Sequence, residues 1–292
     1  MSPRRADSFS LRFNAPPSVL MDTSDRNASA AENLVSCKTA ADSCADLSRC
    51  PATNHSLKTT DGIMTAKTAG KRFAVIGVAG YIARRHLDAI RAVGGDIVAA
   101  FDVFDSVGQM NDFAKARFFT DFTEFESFVL RAKRDGRPID YVTICSPNYL
   151  HRSHIEFALR AGADAICEKP LVLNPWEIDE LRRLQDETGR KVHTILQLRL
   201  NPDNQRLKEE FTARKDRIVG DLTYITARSQ WYYTSWKGDE RKSGGLPTNI
   251  GVHFFDLLTY IFGSPTRNDV HYRAPDCASG KLEFETASQA RV

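Results

Sequence analysis

Long apolar runs, a strong charge excess and a cysteine framework are all missing from this sequence. No apolar stretch approaches the roughly 20 residues that a membrane-spanning helix needs, so we expect no membrane insertion. The net charge of +3 is spread along 292 residues, which argues against a nucleic-acid partner. The six cysteines form no CxxC pair and accompany no histidine cluster. This predicts no metal site and no disulfide framework, and it fits a reducing cytoplasm.

The first 70 residues carry no sustained helical or strand period and are rich in Ser, Ala, Asp, Thr and Asn. Such a segment buries too little apolar area to offset its ordering entropy, so residues 1–70 are predicted to be a disordered leader. Arg4, Arg5 and Arg12 beside serines suggest an organelle-targeting peptide, but interspersed acids argue against it. Alternatively, Met64 is the true start of the protein.

From residue 71, apolar runs of strand length alternate with helical stretches. The predicted strands lie at 73–76, 96–101, 141–145, 164–167 and 192–196. The predicted helices lie at 81–93, 122–134, 151–161 and 175–188. This alternation predicts an α/β fold with a doubly wound parallel sheet over residues 71–196.

After residue 196 the rhythm changes, and residues 197–292 are expected to form a second α/β domain with an open, mainly antiparallel sheet. Its predicted elements are helices at 202–215 and 249–262, a long strand at 220–229, and short strands at 270–272 and 282–285. At the junction, residues 197–199 are expected either to contact cofactor or substrate or to bridge the two domains.

A glycine turn follows the first predicted strand. Gly77, Gly80 and Ala83 form a G-x-x-G-x-x-A pattern, and a helix begins near Tyr81. Small residues let a backbone approach a pyrophosphate, and the helix amino terminus offers free N–H groups. Asp102 ends the next strand, where a carboxylate accepts hydrogen bonds from an adenosine ribose and repels a 2′-phosphate. The pattern favours NAD over NADP, with a turn cap as the alternative role of Asp102.

A charged pair, Glu168 and Lys169, follows the buried strand at 164–167 and precedes Pro170. In open α/β sheets the carboxyl ends of strands bind ligands. An ammonium there can stabilise an alkoxide that develops on a substrate. The alternative is an ordinary strand-to-loop transition with a solvated lysine.

Asn249 and His253 lie four residues apart on a predicted helix, so they project from one face, with Asp256 about one turn further on. A histidine can accept the proton of an alcohol while hydride leaves the same carbon, because its ordinary pKa is near neutral. A histidine packed in the core is the alternative.

Aromatic and cationic side chains are interleaved over residues 227–245. Arg228, Trp236, Lys237 and Arg241 are suited to a base stack and to a diphosphate or carboxylate. A surface loop whose aromatic residues pack under the sheet is the alternative.

Three stretches, at 71–83, 165–171 and 248–253, together resemble the Gfo/Idh/MocA family of nicotinamide-dependent sugar oxidoreductases. The loop at 145–151 also matches the family's pattern of a small residue, proline, asparagine and then histidine. The resemblance implies an amino-terminal Rossmann domain, bound NAD, and a homotetramer for a complete chain. It also implies that the second domain is incomplete at its carboxyl terminus.

The resemblance further implies roles for individual residues. The residues expected to bind NAD are Gly77, Ala79, Gly80, Tyr81, Ile82, Asp102, Ser146, Asn148, His151, Glu168 and Lys169. The residues expected to act in catalysis are Lys169, His253 and Asn249. The residues expected to bind substrate are Lys169, Arg228, Trp236, Lys237, Arg241, Asn249 and His253. For His151, a helix-start residue is the alternative.

Much of the family has an aspartate where this chain has Asn249. Asparagine cannot act as a base, so the proton role moves to His253 or Lys169. The asparagine matches the branch that oxidises the C3 hydroxyl of UDP-linked N-acetylhexosaminuronic acids in O-antigen synthesis. A dehydrogenase of a free sugar or inositol, and a non-catalytic NAD-binding protein, are the alternatives.

Overall fold

The computed structural model describes residues 7–14, 70–214, 218–285 and 289–291, and it begins with the strand β1 (Asp7–Asn14). The predicted disordered leader does not hold for these eight residues, because β1 pairs in parallel with a strand of the second unit. Phe9, Leu11 and Phe13 alternate with polar residues, a strand period that the composition of the whole segment conceals. The targeting-peptide and Met64 alternatives lie outside the described residues.

The first unit is a six-stranded parallel sheet with helices on both faces. Its strands are β2 (Arg72–Ile76), β3 (Asp96–Phe101), β4 (Arg117–Phe119), β5 (Tyr141–Ile144), β6 (Asp164–Cys167) and β7 (Val192–Thr194). Its α-helices are α1 (Ala83–Ala92), α2 (Phe122–Arg134), α3 (His151–Ala161) and α4 (Trp176–Thr188). The predicted doubly wound sheet is confirmed. The short strand β4 was not predicted.

The strand order is β4-β3-β2-β5-β6-β7. From β2 the chain adds β3 and β4 on one side of the sheet and then β5, β6 and β7 on the other, so the order of addition reverses between β2 and β5. Along β2, Ala74 and Ile76 pack into the core on one face of the sheet, while Phe73 and Val75 pack into the core on the other. A strand buried on both faces reads as a continuous apolar run, which is why the sequence predicts it well. Ligands of open α/β sheets bind at such a reversal, outside the carboxyl ends of the strands.

In the described residues, the second unit combines four α-helices and a π-helical turn with a five-stranded sheet. The helical elements before the final strands are α5 (Pro202–Ala213), α6 (Gln230–Thr234), α7 (Glu240–Ser243), the π-helical turn Pro247–Gly251 and α8 (Val252–Phe262). The strands are β8 (Ile218–Ile225), β9 (Pro265–Arg273), β10 (Ala278–Phe284) and β11 (Gln289–Arg291). The predicted strand at 220–229 thus ends at Ile225, before the short helix α6.

This second sheet has the order β1-β8-β11-β10-β9. The expected antiparallel pairing joins β9, β10 and β11, whereas β8 runs parallel to both of its neighbours, β1 and β11. Helix α8 anchors the core, with Leu257 and Leu258 fully buried. Phe262 stacks on Phe211 of α5 at 5.5 Å and contacts Phe284 of β10 at 5.4 Å between ring centroids. The packing fixes α8, which carries His253.

Among the described residues, none of the helices combines the length and apolar character needed to cross a membrane.

Gly77→Ala should destabilise the fold more than Gly136→Ala. Both glycines have positive φ, +81° and +71°, so alanine imposes about 1 kcal/mol of strain at either site. Only at Gly77 would the new Cβ also lie 2.6 Å from the backbone of Cys145 and Ser146, whereas Gly136 faces open space. We expect urea denaturation to give an additional loss of about 1–3 kcal/mol in unfolding free energy for Gly77→Ala. Equal losses would contradict the close approach of β2 and β5.

Candidate active site

The glycine turn after β2 lies against the ends of β3 and β5. The Gly77 N–H donates to the Phe101 carbonyl at 2.9 Å, and a Cβ on Gly80 would lie 3.4 Å from the Cys145 carbonyl oxygen. A Cβ at either glycine would crowd the Cys145 backbone, so the turn packs directly against the end of β5. Small residues between a strand and the start of a helix are also what a pyrophosphate-binding turn requires.

Asp102 holds this turn from the end of β3. Its Oδ2 accepts a hydrogen bond from the Ala79 N–H at 2.7 Å, and its Oδ1 accepts one from the Phe104 N–H at 3.2 Å. The turn-capping role is therefore present, beside the place expected for an adenosine ribose. Tyr81 is 86% exposed, and Ile82, directly before α1, is partly buried.

His151 does not line the cleft, contrary to the prediction that it binds the cofactor. Its ring is 1% exposed and lies under two loops. Nδ1 is 2.7 Å from the Pro170 carbonyl oxygen, and Nε2 is 2.8 Å from the Ser146 carbonyl oxygen. Burial lowers the pKa of His151, opposed by these two carbonyl contacts. The side chain supports the loops after β5 and β6 from below, because α3 turns it toward the sheet.

Ser146 and Asn148 follow β5 at the carboxyl edge of the sheet. The Ser146 hydroxyl is 2.9 Å from Nδ1 of His154. Asn148 reaches the second unit, where its Nδ2 donates to the Ser243 carbonyl at 2.9 Å and to Asn249 Oδ1 at 3.3 Å. Asn148 thus joins the two units, a role beyond its predicted contact with the cofactor.

Lys169 makes the second connection between the units. Its Nζ donates a hydrogen bond to the Asn249 carbonyl at 2.9 Å. Asn249 lies in the π-helical turn before α8, and π-helical turns occur frequently at functional sites. The Asn249 Nδ2 also donates to the Tyr232 hydroxyl at 3.3 Å. The structure therefore brings together the lysine after β6 and the asparagine that the sequence places far apart.

His253 lies in the first turn of α8, near enough to Lys169 and Glu168 for their charges to act on its ring. Its Nδ1 is buried and has no hydrogen-bond partner within the part of the chain that the structure describes. Burial, reinforced by the charge of Lys169, lowers the pKa of His253 to about 4. The imidazole is therefore neutral near pH 7, with a nitrogen able to accept a proton.

Two further cations, Lys237 and Arg228, lie near Lys169. Burial lowers the pKa of Lys169, and repulsion from Lys237 and Arg228 adds to this, while Glu168 opposes it. Burial and Arg228 likewise lower the pKa of Lys237. Mutual repulsion among cations is relieved by an anion, so the cluster suits a negatively charged ligand.

Two of these cations make cation–π contacts with aromatic rings. The Lys237 ammonium lies 5.1 Å from the Trp231 ring centroid and 5.7 Å from that of Trp236, and the Arg228 guanidinium lies 5.1 Å from that of Tyr232. The Arg241 side chain is 91% exposed and pairs with Asp239. Its role in binding substrate stays a prediction.

The residues that sequence reasoning missed are mainly partners of the predicted ones. His86 on α1 contacts Glu168 at 2.8 Å, and Tyr232 contacts Asn249. Arg199, one of the junction residues expected to contact a ligand or to bridge the domains, forms a two-pronged pair with Asp256 of α8 inside the second unit. No described group of His, Cys, Asp and Glu side chains has the arrangement of a metal site.

Two family models match the chain in order. Residues 71–196 match the Gfo/Idh/MocA oxidoreductase family model for the NAD-binding Rossmann fold. Residues 218–288 match the model for the family's C-terminal α/β domain. Both predictions, of the fold class and of NAD as the cofactor, are confirmed at the level of the family.

Individual relatives agree with these matches. The WlbA (WbpB) dehydrogenase from Thermus thermophilus, solved in complex with NAD and UDP-GlcNAcA, is 49% identical with a TM-score of 0.73; the alignment covers 76% of this chain and 72% of that one. D-glucoside 3-dehydrogenase from Escherichia coli is 32% identical over 45% of this chain and 38% of its own length. Inositol 2-dehydrogenase from Rhizobium meliloti is 25% identical over 66% of this chain and 55% of its own length.

The chain thus spans about half the length, or less, of these two curated relatives. The matched segments nevertheless include the glycine turn, the Glu168–Lys169 pair and the helix of His253. The two family models and the Thermus thermophilus relative together establish that this chain belongs to the Gfo/Idh/MocA oxidoreductase family.

Proposed function

We propose that this protein uses NAD to oxidise the C3 hydroxyl of a UDP-linked N-acetylhexosaminuronic acid to the 3-keto sugar, in surface polysaccharide (O-antigen) sugar biosynthesis. The observation that carries the proposal is the contact between Lys169 Nζ and the Asn249 carbonyl, with His253 close enough that the charge of Lys169 helps to lower its pKa. An ammonium, an amide and a neutral imidazole are the groups that oxidation of an alcohol can use. The Thermus thermophilus relative, solved with UDP-GlcNAcA, supports the substrate class.

NAD, when bound, supplies the acceptor for the hydride that leaves the sugar carbon. In the proposed site, the turn at Gly77 and Gly80 receives the pyrophosphate, and Asp102 lies near the adenosine ribose. Glu168, beside Lys169, lies near the nicotinamide ribose. These roles assign the carboxyl edge of the first sheet to the cofactor.

His253 accepts the hydroxyl proton at its ring nitrogen, since the imidazole is neutral near pH 7. The Lys169 ammonium stabilises the oxygen as negative charge develops on it. Asn249 orients that oxygen and cannot itself act as a base, because an amide has no basic lone pair near neutral pH. Lys237 and Arg228 are assigned to the carboxylate or diphosphate of the substrate.

We also infer a cytoplasmic location and assembly into a homo-oligomer, most simply a tetramer. The cysteine usage supports the location, because it includes no disulfide framework. The strand β9, at the edge of the second sheet, supports the assembly. Its Val270 and Tyr272 are 71% and 57% exposed, and an edge strand offers backbone groups that can pair with a second copy.

The direct test mixes the protein with NAD and UDP-N-acetylglucosaminuronate and follows the near-ultraviolet absorbance of NADH. Parallel reactions contain myo-inositol or a glucoside, the substrate classes named for two relatives. NADH from the UDP-sugar alone is the expected result. NADH formation with only myo-inositol or only the glucoside would show that the substrate belongs to that class and is not a UDP-linked sugar acid. NAD binding without turnover on any of the three would identify a non-catalytic NAD-binding protein.

Lys169→Met should lower kcat about 10²- to 10³-fold, because the developing oxyanion loses its cation. NAD affinity should change much less, as measured by calorimetric titration. The exposed Lys115, changed to Met, is the matched control and should keep full turnover. Equal kcat in the two variants would remove Lys169 from the chemistry.

The pH dependence of kcat/KM should differ from that of an ordinary histidine base. His253 must be neutral to accept a proton, and its pKa is lowered from 6.5 to about 4. Activity should therefore persist below pH 6.5 and fall only as the pH drops through about 4. On the alkaline side, activity should fall at a pH below 10.5, since the pKa of Lys169 is lowered and its charged form is required. An acidic limb centred on 6.5 would contradict the assignment.

Lys237→Met should raise KM for the UDP-sugar acid about tenfold or more while changing kcat less, because it removes a partly desolvated anion partner. UDP should inhibit the unchanged protein competitively and the variant more weakly. Steady-state kinetics with UDP as inhibitor measure both effects. An absence of UDP inhibition in the unchanged protein would favour a free sugar or inositol as substrate.

A further inference from the structure

A buried side-chain contact joins helix α1 to the segment after β6 that carries Glu168 and Lys169. His86 on α1 places Nε2 2.8 Å from Oε1 of Glu168, which follows β6. The two side chains are 11% and 10% exposed, so water screens the contact little. His86 has no role in the site as proposed above.

Glu168 is held at several atoms. Its Oε2 accepts a hydrogen bond from the Lys169 N–H at 3.3 Å, and its own N–H donates to the Ile144 carbonyl at 3.0 Å. Lys169 continues the chain of contacts to the Asn249 carbonyl. A hydrogen-bonded path therefore runs from α1 through Glu168 and Lys169 to the π-helical turn of the second unit.

The ionisable groups around Glu168 come from every element packed against it. They are His86 on α1, Cys145 after β5, His151 on α3, Cys167 on β6, the adjacent Lys169, and His253 on α8. Burial raises the pKa of Glu168, but the His86 hydrogen bond and charge, with Lys169, lower it below its ordinary value. The carboxylate thus remains ionised in a place where burial alone would favour protonation.

We propose that His86 is a positioning residue that acts through Glu168, fixing the carboxylate toward the nicotinamide ribose and the loop of Lys169. The inference rests on the proposed function, in which Glu168 and Lys169 face the cofactor. Helix α1 also begins at the glycine turn. The pair therefore links the segment that receives the pyrophosphate to the loop that carries the catalytic ammonium.

The test is calorimetric titration of NAD across acidic pH, which needs no turnover. NAD affinity should fall as the pH drops through the pKa of Glu168, because only the carboxylate accepts from a ribose hydroxyl. His86→Leu removes the group that lowers this pKa, so the midpoint should move to higher pH by about one unit or more. His86→Gln keeps an N–H donor without the charge and should move the midpoint less.

Two controls make the result specific. His193→Leu changes an exposed histidine on β7 and should leave both affinity and midpoint unchanged. A second series in a His253→Gln background removes the other nearby group that titrates in the acidic range. If His86→Leu is unstable, the His86→Gln titration decides the question.

A double variant separates positioning from general structural support. In a Glu168→Gln background, His86→Leu should weaken NAD binding no further, because His86 acts through the carboxylate. An equal loss in both backgrounds, or an unmoved midpoint in both His86 variants, would overturn the proposal. Absence of turnover with the UDP-sugar in the unchanged protein would instead count against the proposed function, so the two failures are distinguishable.

Discussion

The hydrogen bond from the Lys169 ammonium to the Asn249 carbonyl is the constraint on which the site depends. One partner follows a strand of the first sheet, and the other lies in the π-helical turn of the second unit, so neither unit forms the site alone. Asn148 reinforces the same connection. Because a neutral carbonyl satisfies Lys169 without cancelling its charge, the ammonium keeps its positive field toward the cleft. The neighbouring cations add to that field, and the neutral His253 can still receive a proton.

Much of the fold and several site residues were accessible from the sequence because they depend on local patterns. The strands β2, β5 and β6 are short apolar runs, and a turn of small residues follows the first of them. Lys169 stands at the end of a strand, and strand ends meet at one edge of a parallel sheet. Asn249 and His253 are recognisable by their helical spacing, although the π-helical turn that contains Asn249 has no clear sequence signal.

The missing parts depend on contacts between distant segments or on side-chain direction. His86 and Glu168 are 82 positions apart, and no spacing rule predicts their pairing. His151 was correctly placed at a helix start near the cleft, but α3 directs its ring into the interior. The strand β1 is not predicted from the sequence, because the polar composition of the first 70 residues indicates disorder more strongly than their short alternating pattern indicates a strand. In each case contacts with distant segments decide which side chains pair, where a ring points or whether a strand forms. A single sequence gives no direct signal for such contacts.

The pairing of β8 with both the first and the last described strands has a consequence for folding. The first unit can close through contacts between segments near in sequence, which form early. In the second sheet β8 instead pairs with β1, where Asp7 lies opposite Ile218, and with β11. The whole first unit lies between β1 and β8 in the sequence. During synthesis, β1 leaves the ribosome long before β8 exists. The second sheet therefore has a high contact order, and it closes only after β8 and β11 have left the ribosome.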